Sequence, residues 1–376
     1  MDLNQQMEKA LDRLMKPRGV QHAILSVESR DGSFQWSGAR GTAGPDGSDI
    51  TVRSRFWIAS ITKMFIAATV LKIFESGRIR LDEPVRKYLP PGLMTGVHMV
   101  DGTDAGRDIT VQQLLRHTSG IPDYLEIRDR DGKTLIDRVT DNPEMTWEIR
   151  DILDIVRTAD RPLFAPGQTA GRRERARYSD TNYQILTEMI RYLMEADVDL
   201  VMKELLWDPL GLEMTSLPGG KTVADAEEPA AVWLGRNPFI ISEPAMRSFG
   251  DLFSTTADLI RFFRALSGGQ VFRQDETLRL MMENWNTLDF SLSPLAPGWP
   301  IQYGMGTMRF QMPRLLSPLK PRPELVGHTG AVGSWLFYCP QLDMITAGTV
   351  GQSTAAGVPF SALPALFSGL LSEGAI

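Results

Sequence analysis

Polar and apolar residues follow two rhythms along this chain. In MDLNQQMEKALDRLMKPRGV, Leu3, Met7, Leu11 and Leu14 recur at spacings that share one helix face, so an amphipathic helix is predicted there. HAILSVESRDGSFQWSGARG then changes to short β-like runs on either side of Asp31-Gly32, the signature of a hairpin. The next segment, WIASITKMFIAATVL (residues 57–71), is apolar on nearly every side and predicts a buried helix ending near Gly77. Residues 109–240 keep the helical spacing in TVQQLLRHTSG, NPEMTWEIRDILDIVRTA and NYQILTEMIRYLMEADVDLVMKELLW, and are predicted mainly helical. Thr255-Thr256-Ala257-Asp258 reads as a capping box opening a further helix. Beyond it the chain turns β-rich in IQYGMGTMRFQ, ELVGHTG, SWLFYCP and MITAGTVGQ, before a last helix in SALPALFSGLLSEGA. A Pro-rich stretch, QMPRLLSPLKPRP, separates two of these strands as an exposed loop.

Strands at both ends with helices between them imply an α/β fold: a central antiparallel sheet flanked by helices, with a mainly helical domain inserted. The expected division is 1–80 plus 245–376 for the sheet domain and 81–244 for the helical one, with a ligand cleft between them. The chain has 376 residues, enough for two such parts.

Charge and composition remove several function classes. A net charge of −6 argues against nucleic acid or an anionic membrane as the main partner. The longest apolar run, 56–71, is interrupted by Ser60, Thr62 and Lys63, so no membrane span is expected. The first twenty residues lack the apolar core of a secretion signal, and a cytoplasmic location is expected. The single cysteine, Cys339, precludes an intrachain disulfide and reads as a core residue. The four histidines form no metal-binding pattern, and no nucleotide loop or GxSxG elbow occurs, so neither metal nor organic cofactor is expected. The sequence leaves the oligomeric state open.

One feature of the buried helix calls for chemistry. Ser60 and Lys63 lie three residues apart and therefore share a face. A serine hydroxyl needs a base before it attacks a carbonyl, and a desolvated lysine can serve as one. A bare S-x-x-K match is expected about once by chance in a chain of this size. Two further matches in order change its weight: Tyr178-Ser179-Asp180, running into a helix, and His328-Thr329-Gly330, on a strand.

With these three motifs the chain resembles the serine β-lactamases and penicillin-binding proteins. The nearest branch holds class C β-lactamases, HTG-type D-alanyl-D-alanine carboxypeptidases and family VIII carboxylesterases. LLRHTSGIPDY, LFAPGQ, YSDTNYQIL, FGDLFSTTADLIRFF and YGMGTMRF extend the resemblance over roughly residues 20–370. It implies a β-lactamase/transpeptidase-like fold and an acyl-enzyme on Ser60, with Lys63 and Tyr178 sharing the proton. His328 and Thr329 would line the groove, and Gly330 would let substrate pack against the strand. The N–H groups of Ser60 and Ala331 would form the oxyanion hole.

Two departures bear on the substrate. The second motif usually ends in Asn; here it ends in Asp180, which when ionised accepts but cannot donate. Asp180 is expected to pair with Lys63, hold it protonated and move the base role toward Tyr178. The third motif begins with His328 instead of lysine, a weaker anchor for a carboxylate near neutral pH. Together these favour hydrolysis of small esters or amides, over a D-amino-acid peptidase, a β-lactamase or an acyltransferase. A non-catalytic ligand-binding protein is the rival from another class. His117 reads as a structural turn residue, the arginine run 171–177 as a solvated face, Trp335 and Tyr338 as packing residues, and Trp299 as a candidate rim of the cleft.

Overall fold

In the strand His22–Ser29 (β1), the first six residues are all buried, because β1 has neighbours on both edges and helices over both faces. The turn around Gly32 returns the chain into Gln35–Gly41 (β2), paired antiparallel to β1. The remaining strands of the sheet come from the C-terminal third: Asn286–Thr287 (β3), Gln302–Tyr303 (β4), Met308–Gln311 (β5), Glu324–Thr329 (β6), Ser334–Cys339 (β7) and Met344–Thr349 (β8). Their spatial order is β3-β4-β5-β6-β7-β8-β1-β2, antiparallel throughout, so β1 lies beside β8 with Ile24 opposite Thr349. This computed structural model describes residues 2–159, 162–171, 173–220, 228–291, 297–316 and 321–373. Arg172 of the arginine run and 317–320 of the Pro-rich stretch fall outside them.

Alternation along the strands divides the core into two layers. Ala23, Leu25, Val27, Trp335, Phe337 and Cys339 point to the layer covered by Leu3–Leu14 (α1) and by the C-terminal helix Pro359–Glu373. Ile24, Leu336, Ile345 and Ala347 point to the opposite layer. There they meet Thr62–Glu75 (α2), Asp180–Met194 (α3) and Thr256–Ser267 (α4). The C-terminal helix, Pro359–Glu373, is α5. Every residue of α2 from Thr62 to Leu71 is buried, as expected of a helix that is apolar all round. Apolar residues of the short helices between 81 and 244, such as Leu114, Val139 and Leu153, join the same cluster as α2 and α4.

Two local expectations differ from the observed structure. The segment IQYGMGTMRFQ is not one strand but β4 and β5 joined at Gly306, where the chain turns against α2. A Cβ there would come within 2.4 Å of Ala67 Cβ, so the turn requires glycine. At α4 only half of the capping box forms. Thr255 accepts from the Asp258 N–H at 3.2 Å, but the Asp258 carboxylate bonds Met214 N and Thr215 Oγ1 instead. A tertiary partner thus displaces the local one.

Candidate active site

The chain reaches α2 through Phe56–Trp57 and a single 3₁₀ turn, Ala59–Ile61, that carries Ser60. Ala59 has φ +48°, an uncommon conformation for a residue with a side chain. It turns Ser60 to the surface of a cavity while Lys63, in the first turn of α2, stays 3% exposed. The Ile58 carbonyl accepts from Ser334 Oγ at 2.9 Å, tying this turn to β7.

Lys63 Nζ lies 3.1 Å from Ser60 Oγ and forms a short ion pair with Asp180. Burial works against its charge, but the carboxylate of Asp180 outweighs it, with Tyr178 and Asp251 adding, so Lys63 is held well above the ordinary lysine value. Its ammonium also sits 5.2 Å from the centroid of the Tyr178 ring. Tyr178 is 1% exposed, and its hydroxyl has no hydrogen bond of ordinary geometry among the described residues. Burial raises its phenol far above the usual range, although Lys63 and the neighbouring Ser60 hydroxyl oppose the shift. At neutral pH the pair is therefore an ammonium and a phenol.

His117 fixes the loop that bears Tyr178. It adopts φ +57°, and its carbonyl accepts from Arg177 N at 3.0 Å. Its Nδ1 accepts from Ser179 N at 3.3 Å and from Asn182 Nδ2 at 3.0 Å, which leaves the proton on Nε2. The imidazole packs on the Tyr178 ring with centroids 4.4 Å apart. Burial and the nearby Lys63 charge keep it neutral. His117 is thus a positioning residue, in line with its structural reading.

The third motif contributes differently from expectation. Thr329, Gly330 and Ala331 line the cavity with Ser60 and Tyr178, but His328 is fully buried and is not on its wall. Its Nδ1 donates to the Thr329 carbonyl at 2.7 Å, and its Nε2 accepts from the Tyr303 hydroxyl at 3.0 Å. Burial, aided by the Lys63 charge, lowers its pKa to about 3, so it is a neutral brace behind β6. Strand alternation explains the correction: neighbours on a strand face opposite ways. Gly330 is also needed for the protein's own packing. A Cβ there would lie 2.3 Å from Ser334 Oγ and 2.6 Å from the Ile58 carbonyl, so glycine lets β6 approach the Ser60 turn. The Ala331 N–H has no backbone acceptor among the described residues.

The cavity encloses about 310 Å³ and is otherwise apolar, with Trp299, Ile301, Met308, Phe310 and Phe360 on its walls. Trp299 is 55% exposed and forms part of the rim, as the sequence suggested. Trp335 and Cys339 are core residues.

Sequence reasoning missed two carboxyl groups. Asp123 accepts from Asp180 N at 3.1 Å and from Leu125 N at 3.0 Å. Burial and the Asp180 charge push it well above the ordinary carboxylate value, while the two N–H donors oppose the shift. Asp251 precedes Leu252, whose N–H donates to Thr62 Oγ1 at 2.9 Å. Burial raises Asp251 to about 7, with Lys63 opposing and Asp180 adding. Both stand within segments already singled out, GIPDY and FGDLF, as acidic residues among apolar ones; that contrast was the available signal. The described residues contain no cluster of potential metal ligands.

A serine beside a buried ammonium, at the mouth of a helix and under a strand edge, belongs to the class of serine acyl-transfer enzymes. Comparison with known proteins agrees. The Beta-lactamase family model matches residues 10–359, and the chain belongs to that family. It is a serine hydrolase of the β-lactamase fold. It is 22% identical over 298 residues to the D-alanyl-D-alanine-carboxypeptidase/endopeptidase AmpH of Escherichia coli (strain K12), covering 77% of this chain and 68% of that protein. It is 30% identical over 171 residues to esterase EstB of Burkholderia gladioli, covering 43% and 40% respectively. The fold matches a D-stereospecific amidohydrolase from Streptomyces sp. with a TM-score of 0.74, at 24% identity over 95% of this chain and 97% of that one. No helix among the described residues is long and apolar enough to cross a membrane.

Proposed function

We propose that this protein hydrolyses small esters or amides through an acyl-enzyme on Ser60. The observation that carries the reading is Ser60 on a cavity wall, 3.1 Å from the buried Lys63 ammonium that Asp180 holds. Because Lys63 rests as an ammonium, it acts as a relay rather than a simple base. As Ser60 Oγ attacks the carbonyl carbon, its proton passes to Lys63 while Lys63 gives one to the Asp180 carboxylate. The N–H groups of Ser60 and Ala331 hold the oxyanion. When the carbon–leaving-group bond breaks, the Tyr178 phenol protonates the departing oxygen or nitrogen. It recovers its proton from Asp180 through Lys63. Water then attacks the acyl-enzyme, its proton travels the same route, and Ser60 leaves protonated. Asp180 is thus the proton store: the pairing with Lys63 is the one expected from sequence, but the base role expected of Tyr178 passes to Asp180, because burial keeps Tyr178 a phenol.

Neutral substrates suit the cavity better than charged ones. Its described lining carries no charged side chain, and the residue that opens the third motif is a neutral histidine behind the strand. This weighs against a free carboxylate next to the scissile bond, and so against peptidase and β-lactamase readings. The test is turnover of p-nitrophenyl butyrate by the wild type and by Ser60→Ala, with mass spectrometry for a butyryl adduct on the peptide containing Ser60. Turnover that persists in Ser60→Ala, or its absence from both proteins, refutes the assignment.

A further inference from the structure

Asp180 is the first residue of α3, yet the helix does not cap itself. The Ser179 side chain accepts from no N–H of the first turn and donates instead to the Pro122 carbonyl at 3.2 Å. The cap comes from 57 positions upstream, where Asp123 Oδ2 accepts from Asp180 N at 3.1 Å. The other Asp123 oxygen accepts from Leu125 N at 3.0 Å, which closes a turn in the loop that bears it. Asp123 is 3% exposed. Burial and the like charge of Asp180 oppose a carboxylate there. An uncharged cap would avoid both costs, but it would not offer an acceptor to each of the two N–H groups.

Other bonds lock the same loop to the helix. Thr181 Oγ1 donates to the Pro122 carbonyl at 2.8 Å and accepts from Tyr124 N at 3.0 Å, and Ser119 Oγ donates to Asn182 Oδ1 at 2.7 Å. These hold residues 181 and 182. Asp123 is the member of this contact that reaches Asp180, and Asp180 carries the carboxylate that sets the charge of Lys63. The titratable groups that face Asp123 and Asp180 are Lys63 of α2, Tyr178 before α3, Tyr124 and Glu126 of the loop, and Asp251.

We infer that Asp123 is a positioning residue for the acyl transfer: by capping α3 in place of Ser179, it holds Asp180 against Lys63 and keeps the proton relay assembled. The inference rests on the relay reading of Lys63 and Asp180. Without the cap, the first turn of α3 loosens and the Asp180 carboxylate moves off Lys63. Burial then dominates at the lysine, as it does when the carboxylate is removed outright.

The test is a double-mutant cycle with Asp123→Asn and Asp180→Asn, read as p-nitrophenyl butyrate hydrolysis. Asp123→Asn is isosteric, but its NH₂ faces one of the two N–H donors. In the wild-type background it should lower kcat/KM by about tenfold, mainly through kcat. Added to Asp180→Asn, which leaves no carboxylate to hold, it should change kcat/KM by less than about twofold. Its pH profile should also gain the basic limb expected of Asp180→Asn. An equal loss in both backgrounds overturns the inference, as does no loss in the wild type, or a profile that changes in Asp180→Asn but not in Asp123→Asn. Thr181→Val cuts the neighbouring bonds and leaves the Asp123 cap in place, and its profile should keep the wild-type shape. An equal change there would assign the effect to the loop as a whole and likewise overturn the role of Asp123. A profile unchanged in Asp180→Asn refutes the relay instead, and the cycle alone then decides whether Asp123 acts through residue 180.

Discussion

Lys63 meets Asp180 directly and feels Tyr178 and Asp251, and these partners decide which proton can move. Asp180→Asn separates the relay from a simple lysine base. Without that carboxylate, burial again dominates at Lys63 and its pKa falls. Neutral Lys63 then becomes the proton acceptor, so kcat/KM for p-nitrophenyl butyrate should rise with pH along a limb that reports Lys63. A pH profile superimposable on that of the wild type would rule out the relay. Asp251 offers a second, thermodynamic measurement. Its folded pKa, about 7, is raised above the unfolded value near 3.9, so between these values the native state binds a proton that the unfolded chain releases. Its contribution is present below about pH 4 and is lost as pH rises through 7. Asp251→Asn should therefore gain stability relative to wild type between pH 5 and 8, by about 2–4 kcal/mol, in urea titrations at the two pH values. A pH-independent difference would show that Asp251 ionises normally.

At the scale of elements, the site depends on how closely β6 approaches the turn before α2. Gly330→Ala introduces a methyl 2.6 Å from the Ile58 carbonyl and 2.3 Å from Ser334 Oγ. Overpacking of this kind costs about 1–3 kcal/mol. The displacement falls on the Ser60 turn and on Ala331, so kcat should drop at least about tenfold while KM changes less. Wild-type kcat in a variant with a lowered Tm would mean that the strand edge does not set the oxyanion geometry. The same elements show what sequence can convey. Ser60, Lys63 and Tyr178 were legible because three short motifs recur in order, and helix spacing alone brings Ser60 to Lys63. The brace formed by Tyr303 and His328 was not legible, because it joins β4 to β6 across 25 residues and depends on which strand face each residue takes. Asp258 illustrates the same limit, since its capping partner was local and its actual partners are Met214 and Thr215.

For the whole molecule, an antiparallel sheet flanked by helices was legible from the short β-like runs at both ends of the chain. What alternation cannot give is the seam, where β1 enters between β2 and β8 and pairs residues more than 300 positions apart. That seam makes the sheet dependent on both chain ends. The helices between 81 and 244 depend on it too, because they share their apolar cluster with α2 and α4, which cover the sheet. We therefore expect the sheet part and the helical part to unfold together. Leu25 lies in β1 and Leu186 in α3, and both are essentially inaccessible to solvent. Leu25→Ala and Leu186→Ala should each remove about 2–5 kcal/mol. Each should shift one common urea transition, coincident by tryptophan fluorescence and far-UV circular dichroism. If Leu186→Ala instead split the curve, with a helical signal lost before the fluorescence change, the helices would form an independently unfolding domain, and the cleft beside Ser60 would be a boundary between two cores.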